Sequence, residues 1–94
     1  TAVAVSDESI LAAQRRIARE TGLLVEPAAA SSLAGYLKLR ADGVISADVR
    51  ALLLFTGHGL KDPAALERWA ERPPSRTAEE WRRLLTDKSA HACD

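Results

Sequence analysis

Thr56-Gly57-His58-Gly59-Leu60-Lys61-Asp62-Pro63 is the stretch of this chain best equipped for chemistry, and it follows the apolar run Ala51-Leu52-Leu53-Leu54-Phe55. A buried strand that ends in a small hydroxyl residue and two glycines puts ligand-facing groups outside the carboxyl end of the strand, where ligands of open α/β sheets sit. Glycine lets backbone approach a ligand with no Cβ between them. Each side chain has a functional and an ordinary reading. Thr56 offers a hydroxyl to a ligand, or caps the strand end. His58 offers an acid, a base or a ligand atom, or it is held by a turn hydrogen bond. No second histidine lies near it in sequence, His91 being close to the chain end, so metal-ligand spacing is missing. Asp62 precedes Pro63 at a helix start, where a carboxylate caps the helix and would repel an anion. No Gly-x-x-x-x-Gly-Lys-Ser/Thr motif is present to cradle a phosphate.

Outside this octapeptide, Glu26 stands before Pro27 at the end of the apolar Leu23-Leu24-Val25. Burial would raise its pKa and make it a proton carrier; capping the next helix, or joining a hydrogen-bond network, is the ordinary alternative. Ser31 and Ser32 have no base partner in view and do not read as activated nucleophiles. Lys38 and Lys61 are weak candidates for carbonyl chemistry, Lys38 lying with Arg40 near a helix end where a solvated cation belongs.

The elements that must position these residues follow from local signals. Ala2–Val5 reads as a short strand. Ser6 is an N-cap, Asp7 and Glu8 fill a first helical turn, and Ile10, Ala13, Gln14, Ile17 and Ala18 form a mostly apolar stripe at helical spacing. Gly22 closes that helix. Leu23-Leu24-Val25 reads as a buried extended stretch. Pro27 suits a first helical position and opens a helix of small residues, Ala28 to Gly35, able to sit close to a neighbouring backbone; Gly43 ends it. Asp48–Phe55 reads as a strand covered on both faces, because its apolar run lacks alternation. Asp62-Pro63 starts a helix to about Glu71, Pro73-Pro74 breaks the chain, and Thr77 with Glu80 forms a capping box for a last helix carrying Trp81, Leu84 and Leu85. Ser89–Asp94 reads as a frayed tail. Residues 1–72 group as part of a larger domain, and 73–94 as a C-terminal helix and tail.

The 94 residues carry 13 Lys plus Arg against 13 Asp plus Glu, so the net charge is zero and no basic field points to nucleic acid or a membrane surface. Four aromatic residues, Tyr36, Phe55, Trp69 and Trp81, give no base-stacking platform. The single cysteine, Cys93, fits a reducing cytoplasm. No apolar run approaches the roughly 20 residues of a membrane span. Alternating helices and strands imply an α/β fold. Two or three strands make a poor sheet, and an all-apolar central strand needs parallel neighbours that this chain barely supplies. The sequence also opens at Thr1 in the apolar Ala2-Val3-Ala4-Val5. A fragment of a longer chain is one expectation; processing of the start is another.

Three segments, in this order and at compatible spacing, resemble the threonine synthases: Val5-Ser6-Asp7-Glu8-Ser9-Ile10, Glu26-Pro27-Ala28-Ala29-Ala30-Ser31-Ser32-Leu33-Ala34-Gly35, and Thr56 through Pro63. The related serine and threonine dehydratases usually end the last strand in Ser-Gly-Gly-Asn, where this chain has Thr-Gly-His-Gly. The sequence after Pro63 matches nothing in that pattern. The resemblance implies the C-terminal part of a three-layer, parallel-sheet pyridoxal-phosphate fold of type II (tryptophan synthase β-like), a lyase of threonine biosynthesis. That family turns O-phosphohomoserine and water into threonine and phosphate. By the same resemblance, Thr56 faces the pyridine nitrogen of pyridoxal phosphate, and Glu26 lies behind the cofactor. The family's Schiff-base lysine and phosphate-holding loop belong far upstream of these segments, so no catalytic residue is expected in this chain, which is inactive without its partner, the remainder of the enzyme. A homo-oligomer is compatible with that reading. The alternative is a truncated, non-catalytic paralogue acting as a folding or regulatory module.

Overall fold

Ser6 starts the first helix as its side chain dictates. In the computed structural model, which describes residues 1–87, its hydroxyl accepts from the Ser9 N–H at 3.2 Å, satisfying one of the orphan donors of a helix start. Helix α1 spans Asp7–Thr21 and turns Ala13, Gln14 and Ile17 inward. Gly22 ends it in the left-handed region at φ 75°, its N–H reaching the Ala18 carbonyl at 3.0 Å. Helix α2, Pro27–Ala41, begins with Pro27 in its first turn and finishes with Lys38 and Arg40 in its last. Gly43 follows with φ 71°.

The small residues of α2 do what small residues allow. Ala29, Ala30, Ala34 and Gly35 are buried, and a Cβ on Gly35 would already lie 3.3 Å from Val3 Cγ1. Ala13, Ile17, Val25, Ala29, Ala30 and Ala34 form the core, with Val5, Ile10, Leu33 and Phe55 packed against it. This core is a two-helix layer resting on extended chain.

The extended chain departs from the sequence expectation. Among the described residues no strand forms; the one β-type pairing is an isolated antiparallel bridge between Val25 and His58. Ala2–Val5 and the run ending at Phe55 are extended without a ladder. A strand exists only through hydrogen-bonded neighbours, and the described residues provide none for these segments. Nor is the Asp48–Phe55 run covered on both faces. Leu53 and Phe55 are half-buried, Phe55 against the helix core, while Leu52 and Leu54 are 87% and 68% exposed. Val3 and Val5 alternate with Ala2 and Ala4 in the same way. Leu23, expected to be buried, is also exposed; burial in that stretch is confined to Val25.

Past the bridge come a 3₁₀ turn, Gly59–Lys61, and helix α3, Pro63–Glu67. The helix is shorter than the expected run to Glu71. The chain leaves α-geometry through tighter bonds, the Trp69 N–H to the Leu66 carbonyl at 3.1 Å among them, and so turns the Trp69 indole back onto α1. Helix α4, Ala78–Thr86, follows Pro73-Pro74 with the expected capping box and buries none of its residues. The expected frayed tail, Ser89–Asp94, lies outside the described residues, as do Cys93 and His91. The radius of gyration is 17.6 Å, over extents of 55 × 28 × 19 Å, against about 12 Å for a compact chain of this length.

Candidate functional site

The bridge brings together the two sequence-predicted site residues. Glu26 N–H donates to the Gly57 carbonyl at 3.0 Å, and Gly59 N–H donates to the Leu24 carbonyl at 2.9 Å. Glu26 therefore lies alongside Gly57, and Thr56 is the next residue along. The Glu26 side chain lies so close over Gly57 that a Cβ there would overlap its carboxylate. A Cβ on Gly59 would lie 2.6 Å from Leu24 Cγ and 3.1 Å from the Val25 carbonyl oxygen. The clearance these glycines give is thus used by the neighbouring segment.

Glu26 is half-buried, and its side chain makes no capping hydrogen bond to α2; of its ordinary readings, the helix cap is not realised. Thr56 is exposed at the end of the extended run. With Leu23, Phe55, Gly57 and His58 it lines an open groove of about 490 Å³. Among the described residues no lysine or arginine lines that groove.

The other candidates take their ordinary roles. His58 Nδ1 accepts from the Leu60 N–H at 3.1 Å, fixing the 3₁₀ turn. Asp62 Oδ1 accepts from the Ala65 N–H at 3.1 Å, so it caps α3. The Ser31 and Ser32 hydroxyls donate to the carbonyls of Ala28 and Ala29 at 2.6 and 2.8 Å. Lys38 pairs with Asp42 at 2.9 Å on the surface of α2, and Lys61 is exposed. Among the described residues no group of His, Cys, Asp and Glu is placed to hold a metal, and no helix is long and apolar enough to cross a membrane.

One residue behind the site was not singled out by the sequence. Gln14 is fully buried. Its Nε2 donates to the Val25 carbonyl at 2.8 Å, and its Oε1 accepts from Trp69 Nε1 at 2.8 Å. The available signal was an amide sitting within the apolar stripe of α1.

A family model described as pyridoxal-phosphate dependent enzyme matches residues 1–57. The chain is 53% identical over 72 residues to the threonine synthase of Methanocaldococcus jannaschii, a match covering 77% of this chain and 18% of that relative. It is 49% identical over 73 residues to the threonine synthase of Methanosarcina acetivorans, covering 78% and 18%. It is 49% identical over 61 residues to that of Mycobacterium bovis, covering 65% and 17%. The chain spans less than a fifth of the length of the curated relatives it matches, and the matched part is their C-terminal portion. The family match runs through α1, α2, the bridge segment at Glu26 and the Thr56-Gly57 edge, over half of the sequence, and on that ground the chain belongs to the pyridoxal-phosphate-dependent enzyme family, whose fold is α/β.

Proposed function

We propose that these residues are the C-terminal segment of a threonine synthase, which converts O-phosphohomoserine and water to threonine and phosphate. Within it they furnish the pyridine-nitrogen edge of the cofactor site. The observation that carries this reading is the Val25–His58 bridge, which seats Gly57 against the Glu26 carboxylate and leaves the Thr56 hydroxyl exposed beside it. That edge lies in a stretch about half identical to threonine synthases.

The donor set fits one side of the cofactor and not the other. A single exposed hydroxyl residue on an open groove suits the edge of a flat heteroaromatic ring. The absence of Lys and Arg from the groove lining leaves the cofactor phosphate to be held elsewhere in the enzyme. Bound pyridoxal phosphate supplies the electron sink for the reaction. Thr56 would hold the ring nitrogen with its hydroxyl, a neutral partner that would not force a proton onto that nitrogen as a carboxylate does, and so would moderate the sink. Glu26, held behind Gly57, sets the position of the Thr56-Gly57 backbone and keeps its charge one residue removed from the ring. The reactive lysine, the phosphate loop and most substrate contacts belong to the remainder of the enzyme, and this chain alone is inactive.

The test is a graft. The 72 matched residues of the M. jannaschii enzyme are replaced by the corresponding stretch of this chain, and phosphate release from O-phosphohomoserine is followed. The graft is expected to form threonine. In it, Thr56→Val should lower kcat roughly tenfold, the scale of one lost hydrogen bond to a buried partner, with an unchanged melting temperature. A folded, cofactor-loaded graft that makes no threonine overturns the assignment. So does a stable visible-absorbing complex of the isolated chain with pyridoxal phosphate that one lysine substitution abolishes.

A further inference from the structure

We infer that Gln14 is a positioning residue for the Thr56-Gly57 edge, acting through the bridge and locked by Trp69. The inference rests on the proposed function for the identity of the edge, but not for the clamp itself. The Val25–His58 pair is held by Glu26 N–H and Gly59 N–H, which leaves the Val25 carbonyl outside the pairing. Val25 is 5% exposed, so its carbonyl needs a partner inside the protein. Gln14 Nε2 is that partner, at 2.8 Å.

The amide is fixed from both ends. Nε2 must face the Val25 carbonyl because only it donates, and Oε1 must face Trp69 Nε1 because an indole N–H only donates. A flipped amide would set carbonyl against carbonyl and N–H against N–H. Gln14 is fully buried, so water cannot substitute for either partner. One side chain of α1 thereby holds the segment that carries Glu26, and Glu26 holds Gly57. Trp69 adds a second attachment, from beyond the stretch that the family model matches. No other described side chain ties α1, the bridge and the chain after α3 together in this way.

The step from clamp to site is short. Val25 neighbours Glu26, and Gly57 lies between the bridged His58 and Thr56. A bridge that loosens lets Glu26 withdraw from Gly57 and frees Thr56 from its place. Gln14 touches no reacting group, so its loss should lower kcat and leave KM for O-phosphohomoserine nearly unchanged.

The grafted enzyme described above provides the test, with two variants and two readouts. Hydrogen–deuterium exchange by mass spectrometry reports on peptides carrying Glu26 and Gly59, with peptides from the middle of α2 as the reference. Gln14→Leu should speed exchange at the bridge peptides roughly tenfold, the scale of one lost buried hydrogen bond, and leave the reference peptides unchanged. Gln14→Glu carries the sharper signature. A protonated carboxyl reproduces both bonds, donating to Val25 and accepting from Trp69, whereas a carboxylate opposes the Val25 carbonyl. Burial raises the pKa of that glutamate above the roughly 4.3 of an unfolded chain. Its clamp is therefore complete below the unfolded value and is lost as pH rises through the folded one. Relative to the parent graft at each pH, Gln14→Glu should regain bridge protection and kcat toward acid, and Gln14→Leu should not. Unchanged bridge exchange in both variants overturns the clamp. Faster exchange with unchanged kcat overturns the positioning role. A parent graft without turnover counts against the proposed function alone; bridge exchange and its acid recovery in Gln14→Glu then decide the clamp.

Discussion

At Gly57 the Glu26 carboxylate, the far end of a flexible side chain, occupies the space a Cβ would fill. Gly57→Ala swings that side chain aside, which should cost about 1 kcal/mol, the low end for small-to-large changes. The cost should vanish when the obstacle goes. In a double-mutant cycle by urea denaturation of the grafted enzyme, Gly57→Ala in a Glu26→Ala background should destabilise less than in the parent, with a coupling of about 0.5–1 kcal/mol. Additive effects would mean that the two residues do not press on each other. Residue chemistry was legible in the sequence where it was local. Thr56 and Glu26 stood out by type and neighbours, and the capping role of Asp62 and the turn bond of His58 followed from position. The meeting of Glu26 with Gly57 was not legible, because it needs a bridge between segments far apart in sequence. Gln14 escaped for a related reason: its partners, Val25 and Trp69, are both non-local.

Helices α1, α2 and α4 begin and end close to where their caps place them, since a cap is a contact among near neighbours. The expected strands do not form among the described residues, because a ladder is a contact among distant segments. Helix α3 stops early because a tertiary bond, Trp69 to Gln14, turns the chain. Helix α4 depends most on its own start, as it buries nothing against the rest. Its capping box is reciprocal: Glu80 Oε2 accepts from the Thr77 N–H at 2.7 Å and from the Thr77 hydroxyl at 3.0 Å, while Thr77 Oγ1 accepts from the Glu80 N–H at 3.3 Å. The Thr77 backbone N–H, followed by its hydroxyl, holds the Glu80 carboxyl below its ordinary value of 4.5. A depressed folded value means the box is complete above the unfolded pKa and is lost as pH falls through the folded one. Cα chemical shifts of Ala78 to Glu80 should therefore move toward coil below pH 4.5. Glu80→Gln, which keeps an acceptor oxygen but does not titrate, should remove that transition. A transition that survives Glu80→Gln would place the pH response elsewhere.

At the scale of the whole molecule, the decisive feature is the uncovered side of the extended layer. Val3, Val5 and Phe55 face the helices and Leu53 is half-buried, while Leu52 and Leu54 are largely exposed. The same segment offers backbone donors and acceptors without a ladder. Apolar side chains joined to an unpaired edge template association with any similar edge. In the proposed enzyme, the remaining strands would pair with this segment and a second helix layer would cover this face, which explains how a run without polar alternation is tolerated at all. The isolated chain has no such cover, so its sedimentation coefficient should rise with concentration. Leu52→Lys with Leu54→Lys should hold it monomeric, because both changes lie on the exposed side and leave Leu53 and Phe55 in place. The same pair of changes placed in the grafted enzyme should have the opposite value. There it sets two ammonium groups into a face buried under helices, where unpaired charge is heavily penalised, and the graft should fail to fold or to load cofactor. A monomeric parent chain would show that the bare face does not template association; a graft indifferent to the two lysines would show that this face meets solvent in the complete protein, and the parallel-sheet expectation for Asp48–Phe55 would fall with it.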